Sequence, residues 1–199
     1  MKSLIYDFET LGTNHAESAV VSLAALVFDS SHFKEGYTYE ELLDSVATVK
    51  FDVADQVHNY GRKIDPNTLK WWGEQSAEAQ KQLKPQESDM SISNLKSWIT
   101  SYASPDNVDR VYTRGNTFDP MFLDSICKPD PYPFWKLRDT RSTIEGMTLL
   151  NKDIKNGFIV PGLEEQFVAH DAKHDVAMDV MRLQFLMQEM LGCLINLKK

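Results

Sequence analysis

At 199 residues, with 42% hydrophobic and 11% aromatic content, the chain is the size at which most apolar surface fits one core, so a single domain over residues 1–199 is expected. A net charge of -8 excludes a protein that coats nucleic acid by bulk electrostatics, though not one with a local nucleic-acid site, and acids gathered around divalent metals would add to such a charge. The longest apolar runs, such as Ala24–Phe28, fall far short of the roughly 20 residues that cross a bilayer, and the first residues carry no signal pattern, so a soluble, cytoplasmic chain with no membrane partner is expected.

In chain order, Ser3–Phe8 mixes β-branched and aromatic residues and breaks at Gly12, which predicts a strand running into a loop. Ala19–Phe28 and Thr48–Val53 predict two more strands, giving an antiparallel meander. From Pro66 the pattern turns helical, with Asp65 as a start signal and Leu69, Trp72 and Leu83 as apolar positions. A second helix is predicted over Ile92–Tyr102, and a short strand over Arg110–Thr113. Gly115-Asn116 then turns into a helix over Pro120–Ile126. Three prolines in Lys128–Pro133 enforce a loop, after which Trp135–Arg138 predicts a strand. Helices over Thr140–Leu150 and Ala172–Leu194 finish the chain, the last with an apolar face through Val176, Val180, Leu183, Leu186, Met187 and Met190. The fold class is α/β: one mixed sheet flanked by helices. Cys127 and Cys193 make no disulfide framework and read as reduced thiols.

Asp7 and Glu9 are two apart on the first strand, so both carboxylates leave the same face while Phe8 leaves the other. Side by side they repel unless a cation or a shared proton relieves them; the competing reading is a solvated pair on an edge strand. Asp119 sits where strand, turn and helix meet, a position that suits either a site or a helix N-cap. Asp175, with Asp179 one turn on, is either a site residue or favourable charge near a helix start.

Asp7-x-Glu9-Thr10-x-Gly12, Asn116-x-x-Asp119 and His170 followed by Asp175 together resemble the DEDDh class of 3′→5′ exonucleases. The segments "IYDFETLGT", "LKWWGEQSAEAQ", "YTRGNTFD", "FWKLRDTR" and "FVAHDAKHDVAMD" resemble the DNA exonuclease A group of T-even bacteriophages and its bacterial relatives. The resemblance implies a ribonuclease-H-like fold with a five-stranded mixed sheet, three antiparallel strands followed by parallel ones. It also implies removal of nucleoside monophosphates from the 3′ end of single-stranded nucleic acid, DNA favoured over RNA, with two Mg²⁺ ions as cofactors and Mn²⁺ as a substitute. Asp7, Glu9, Asp119 and Asp175 become metal ligands, with Asp7 the bridge, because hard divalent cations take oxygen donors. His170 becomes the base that takes a proton from the attacking water, a task its near-neutral pKa suits. Thr10, Leu11 and Gly12 are implied to line the pocket for the terminal nucleotide, with Phe118 beside it. Arg114, Arg138 and Arg141 read either as phosphate contacts or as solvated cations. Members of the class include homodimers, and a phage origin would place the enzyme in the host cytoplasm.

Three other readings compete. His170-Asp-Ala-Lys-His174 mimics a zinc-hydrolase helix, which needs both histidines one turn apart within a helix and a third ligand such as Glu189. Asp171 instead reads as a helix cap, which leaves His170 outside the helix and His174 a bystander. An inactive binding module would not need all five catalytic positions filled. An exoribonuclease of the same class differs by how the terminal sugar's 2′-OH is accommodated. Trp71 and Trp72 point about 100° apart on a helix, so Trp72 is expected in the core and Trp71 at a rim, a dimer contact or a stacked base.

Overall fold

A computed structural model describes residues 1–149 and 153–196, the side chains of residues 193–196 excepted. Five strands form one sheet in the order β3-β2-β1-β4-β5: β1 Lys2–Thr10, β2 Val20–Asp29, β3 Ala47–Lys50, β4 Arg110–Thr113 and β5 Leu137–Asp139. β3, β2 and β1 run antiparallel, and β4 and β5 join parallel to β1. The meander and the mixed sheet agree with expectation. β1 is central, which overturns the solvated edge-strand reading of Asp7 and Glu9.

The alternation of β1 assigns its residues to two layers. Leu4, Tyr6 and Phe8 enter a core with Leu95 and Ile99 of α5 (Leu95–Tyr102) and Phe122 and Leu123 of α6 (Asp119–Cys127). Ile5 enters a second core with α1 (Tyr39–Ser45), α7 (Thr140–Thr148) and Val176, Ala177 and Val180 of α8 (Ala172–Asn196). Continuing that second face outward along β1 brings Asp7 and then Glu9 to the start of α8.

Several boundaries move. The third strand stops at Lys50, because Asp52 caps α2 (Val53–Tyr60) by accepting from Asp55 N–H at 2.8 Å, and Gly61 ends that helix in the left-handed conformation. The helical stretch from Pro66 is broken: α3 (Pro66–Trp72) ends at Gly73, and α4 (Ala77–Gln80) restarts behind a Ser76 cap. Trp72 is buried at 1% exposure and donates its indole N–H to the carbonyl of Thr10 at 3.0 Å, whereas Leu69, expected beside it, is half exposed. The apolar face of α8 ends at Leu186, and Met187 and Met190 are exposed. The fifth strand begins two residues later than predicted, after a short 3-10 turn at Phe134–Lys136. Cys127 is buried and free, while the Cys193 side chain and Leu150 lie outside the described residues. Among the described residues no helix is long and apolar enough to cross a membrane.

Candidate active site

β1 outruns its parallel neighbour. β4 pairs with β1 only at residues 3 to 5, so beyond Ile5 one side of the central strand lacks a ladder partner, and a backbone donor there needs another acceptor. Asp119, the first residue of α6, supplies it: Oδ1 accepts from Phe8 N–H at 3.1 Å. The acid expected either at a site or as a helix cap is therefore fastened to the strand that carries Asp7 and Glu9.

Asp7, Glu9 and Asp175 each place a carboxylate oxygen within 4.8 Å of the others. Asp119 is outside that tight group but lines the same cleft, of about 790 Å³, together with Asp7, Glu9, His170 and Asp175. Burial raises the pKa of all four acids. Asp7 is pushed well above the usual range by burial, then by the charges of Asp119, Glu9 and Asp175; Glu9 follows the same pattern, with Asp175 its strongest neighbour. Asp119 rises to about 7 through burial, against the Phe8 N–H and the nearby Arg141 charge. Asp175 rises to about 7 through burial and the Asp179 charge.

The chemistry of this donor set fits hard divalent cations: the clustered atoms are carboxylate oxygens, and their mutual repulsion is what a cation relieves. The linkage has a testable sign. Acids with folded pKa values raised to about 7 favour the folded state when protonated, so metal-free stability is present at low pH and lost as pH rises through 7. In EDTA the thermal midpoint should fall between pH 6.5 and 8; His170 and His174, both lowered by burial, act in the opposite direction only at the lower end of that window, where unfolded histidine loses its proton. A divalent cation held by the cluster, at about 100 times its Kd, should restore about 2.7 kcal/mol, on the order of 5–10 °C for a chain of this size. A midpoint that rises with pH in EDTA would contradict the cluster's electrostatics.

His170 precedes α8 in the left-handed conformation, at φ 62°. Its N–H donates to Asp175 Oδ2 at 3.0 Å, and its ring meets that of Trp71 edge-on, centroids 4.8 Å apart. Burial lowers its pKa, which keeps the ring neutral at physiological pH. Asp171 caps α8 by accepting from Lys173 N–H at 3.0 Å. His174 is turned elsewhere: its Nδ1 lies 2.9 Å from the Tyr39 hydroxyl and 3.4 Å from Val168 N–H. The two histidines do not share a helix, and the metal-competent acid group contains neither, so the zinc-hydrolase geometry fails among the described residues.

The remaining predicted contacts divide. Thr10, Phe118, Arg114 and Arg141 line the cleft, as do Trp71 and Asn67 from α3. Leu11 instead packs with Ala19, Val21 and Trp72, because the chain turns inward after Thr10, and it faces a second, more apolar pocket of about 740 Å³ that contains none of the clustered acids. Gly12 is needed for packing: a Cβ there would lie 2.3 Å from Ser18 Oγ. Arg114 is committed to an ion pair with Asp179 at 2.6 Å and to the Asn156 carbonyl at 3.1 Å. Arg138 folds back on the carbonyls of Trp135 and Leu137 and does not line the cleft. Asp179, read from sequence only as the next acid on the helix, is 2% exposed and takes Arg114, Arg182 and the Thr140 hydroxyl. Its signal was the Asp179-x-x-Arg182 spacing on the buried helix face.

Residues 2–184 match the family model described as the 3'-5' exoribonuclease Rv2179c-like domain. The chain is 30% identical over 213 residues to the exodeoxyribonuclease of Enterobacteria phage T4, covering 96% of this chain and 92% of the phage protein. Among solved structures, E. coli exonuclease I in complex with a dT13 oligonucleotide superposes with a TM-score of 0.61 at 17% identity, over 98% of this chain and 43% of that one. A product-bound exonuclease I superposes with a TM-score of 0.58 at 17% identity, over 94% and 44%. The chain thus spans about two fifths of the length of these structures, and the likeness shows the shared ribonuclease-H-like fold. With the family model matched over residues 2–184, the chain belongs to the Rv2179c-like family and is a 3′→5′ exonuclease of the DEDDh type.

Proposed function

We propose that residues 1–199 form one exonuclease domain that removes nucleoside monophosphates from the 3′ end of single-stranded DNA, with two divalent ions, Mg²⁺ first, held by Asp7, Glu9, Asp119 and Asp175. The observation that carries this reading is the convergence of the Asp7, Glu9 and Asp175 oxygens within 4.8 Å in the cleft that Asp119 and His170 also line. Bound Mg²⁺ would supply positive charge against the charge developing on the phosphoryl oxygens. Asp7, which feels the charge of all three other acids, would be the ligand the ions share. His170, neutral at pH 7, accepts the proton of the attacking water. Phe118 and Trp71 offer ring faces to the terminal base, Thr10 a polar wall to its sugar, and Arg141 a cation to a phosphate.

DNA is favoured because the phage relative, similar over nearly its full length, is an exodeoxyribonuclease, and the E. coli neighbour is bound to a DNA oligonucleotide. The exoribonuclease description of the matching family makes RNA the second reading. Matched 5′-labelled DNA and RNA strands with Mg²⁺, Mn²⁺ or EDTA separate the two. The DNA strand should shorten stepwise from its 3′ end with either metal and stay intact in EDTA. Faster trimming of RNA would move the assignment to the exoribonuclease, and undiminished activity in EDTA would sink the metal-dependent account.

A further inference from the structure

Gln82, half buried in the 3-10 turn Lys81–Leu83, has its side-chain amide held at both ends. Ser22 Oγ–H donates to Oε1 at 2.8 Å, and Nε2 donates to the carbonyl oxygen of His170 at 3.0 Å. Ser22 sits on β2 directly opposite Glu9 in the β1–β2 register. One side chain therefore links the strand beside the acid cluster to the loop that carries the histidine.

That loop needs outside support. His170 is the one non-glycine residue with positive φ among the described residues, a conformation that persists only where its surroundings over-determine it. Most of the bonds that hold it are local. Val168 N–H donates to His174, His170 N–H to Asp175, and Asp175 N–H to the carbonyl of Asp171. These fix the turn to the start of α8, which packs on the sheet through Val176 and Ala177, but none of them ties the loop directly to β2. The bond from Gln82 supplies that direct tie, at the carbonyl of the strained residue itself, and the Trp71 ring bears on the imidazole from the same 66–83 stretch of chain.

We infer that Gln82 is a positioning residue for the exonuclease reaction: clamping the His170 carbonyl sets the rotation of the turn and aims the imidazole into the cleft. The inference rests on the reading of His170 as the proton acceptor. Trp71 and Gln82 then act as a pair, the indole bearing on the ring and the amide on its backbone. A displacement of about 1 Å at a reacting group can cost on the order of 10²-fold in turnover.

The test is a double-mutant cycle on single-stranded DNA. Gln82→Leu, which keeps bulk and removes both bonds, should lower kcat about 10–100-fold with KM within about twofold and the Mg²⁺-induced rise in thermal midpoint unchanged. Gln82→Glu is nearly isosteric and keeps the bond from Ser22 while losing the donor to His170. It should fold as the parent does and lose kcat comparably. In a His170→Ala background, Gln82→Leu should change turnover less than about twofold, because no imidazole remains to be aimed. Wild-type kcat in both Gln82 variants would overturn the inference, as would an equal loss with and without His170. Full turnover by His170→Ala would remove the base assignment and the Gln82 role together, whereas a large loss there with no cycle coupling sinks the Gln82 role alone.

Discussion

Turnover by the His170→Ala variant is expected to fall about 10²–10⁴-fold, the range a positioned general base contributes, while Mg²⁺ still raises its thermal midpoint as in the parent. The two readouts separate because His170 lies outside the group of oxygens that converge within 4.8 Å. Asp7→Ala should lose both, since Asp7 belongs to that group and feels the charge of all three other acids. His174→Ala is the internal control. Its ring serves the Tyr39 hydroxyl and the Val168 N–H, so its loss should cost stability of about 1 kcal/mol and far less turnover than His170→Ala. Equal damage from the two histidine variants would reverse their assignment.

The Asp179→Ala variant is expected to lose about 3–5 kcal/mol of stability, measured by denaturant unfolding, with a fall in thermal midpoint of about 6–20 °C. Asp179 Oδ1 takes Arg114 at 2.6 Å and Arg182 at 2.5 Å, and Oδ2 takes the Thr140 hydroxyl at 2.6 Å. Arg182 is only 4% exposed at its side chain, so deleting the acid leaves a guanidinium away from water with the carbonyls of Phe158 and Gly157 as its hydrogen-bond partners. Removing one member of a buried pair costs far more than the pair itself contributes, because the survivor keeps its desolvation penalty. A loss under about 1 kcal/mol, the range of exposed pairs, would show that Arg182 reaches solvent after the substitution.

What the sequence made legible follows from which features are local. Arg110–Thr113 was predicted to the residue because β-branched and aromatic residues are bounded by turn signals on both sides, and the two-residue spacing of Asp7 and Glu9 is a strand property that survives any tertiary arrangement. The helices Tyr39–Ser45 and Val53–Tyr60 are absent from the predicted elements although their end signals are in the sequence: Thr38 and Glu41 form a reciprocal capping box, and Asp52 and Gly61 bracket the second helix. Their short lengths hid the periodicity. The surroundings of Leu11, Gly12 and Arg114 are legible only in three dimensions. Motif position says which residues lie near the site, but the side each one faces is decided by where the chain turns after Thr10 and by Asp179, an acid 65 positions from its Arg114 partner. Asp119's bond to Phe8 N–H depends on β1 being longer than β4, a comparison no single segment contains.

The break in register between Glu9 and Thr10, where Thr10 pairs with Val20 after Glu9 pairs with Ser22, bears on how this segment tolerates change. Strand side chains alternate with a period of two, so the extra residue on β2 resets which side of the chain faces the cleft beyond Glu9. Exchanges of side chain along residues 8 to 12 alter one contact at a time. Deleting or inserting a single residue there would instead turn Thr10 away, slide Gly12 off Ser18 and pull the Thr10 carbonyl from Trp72, three faults from one event. Length, more than composition, is the quantity this part of the chain must inherit intact.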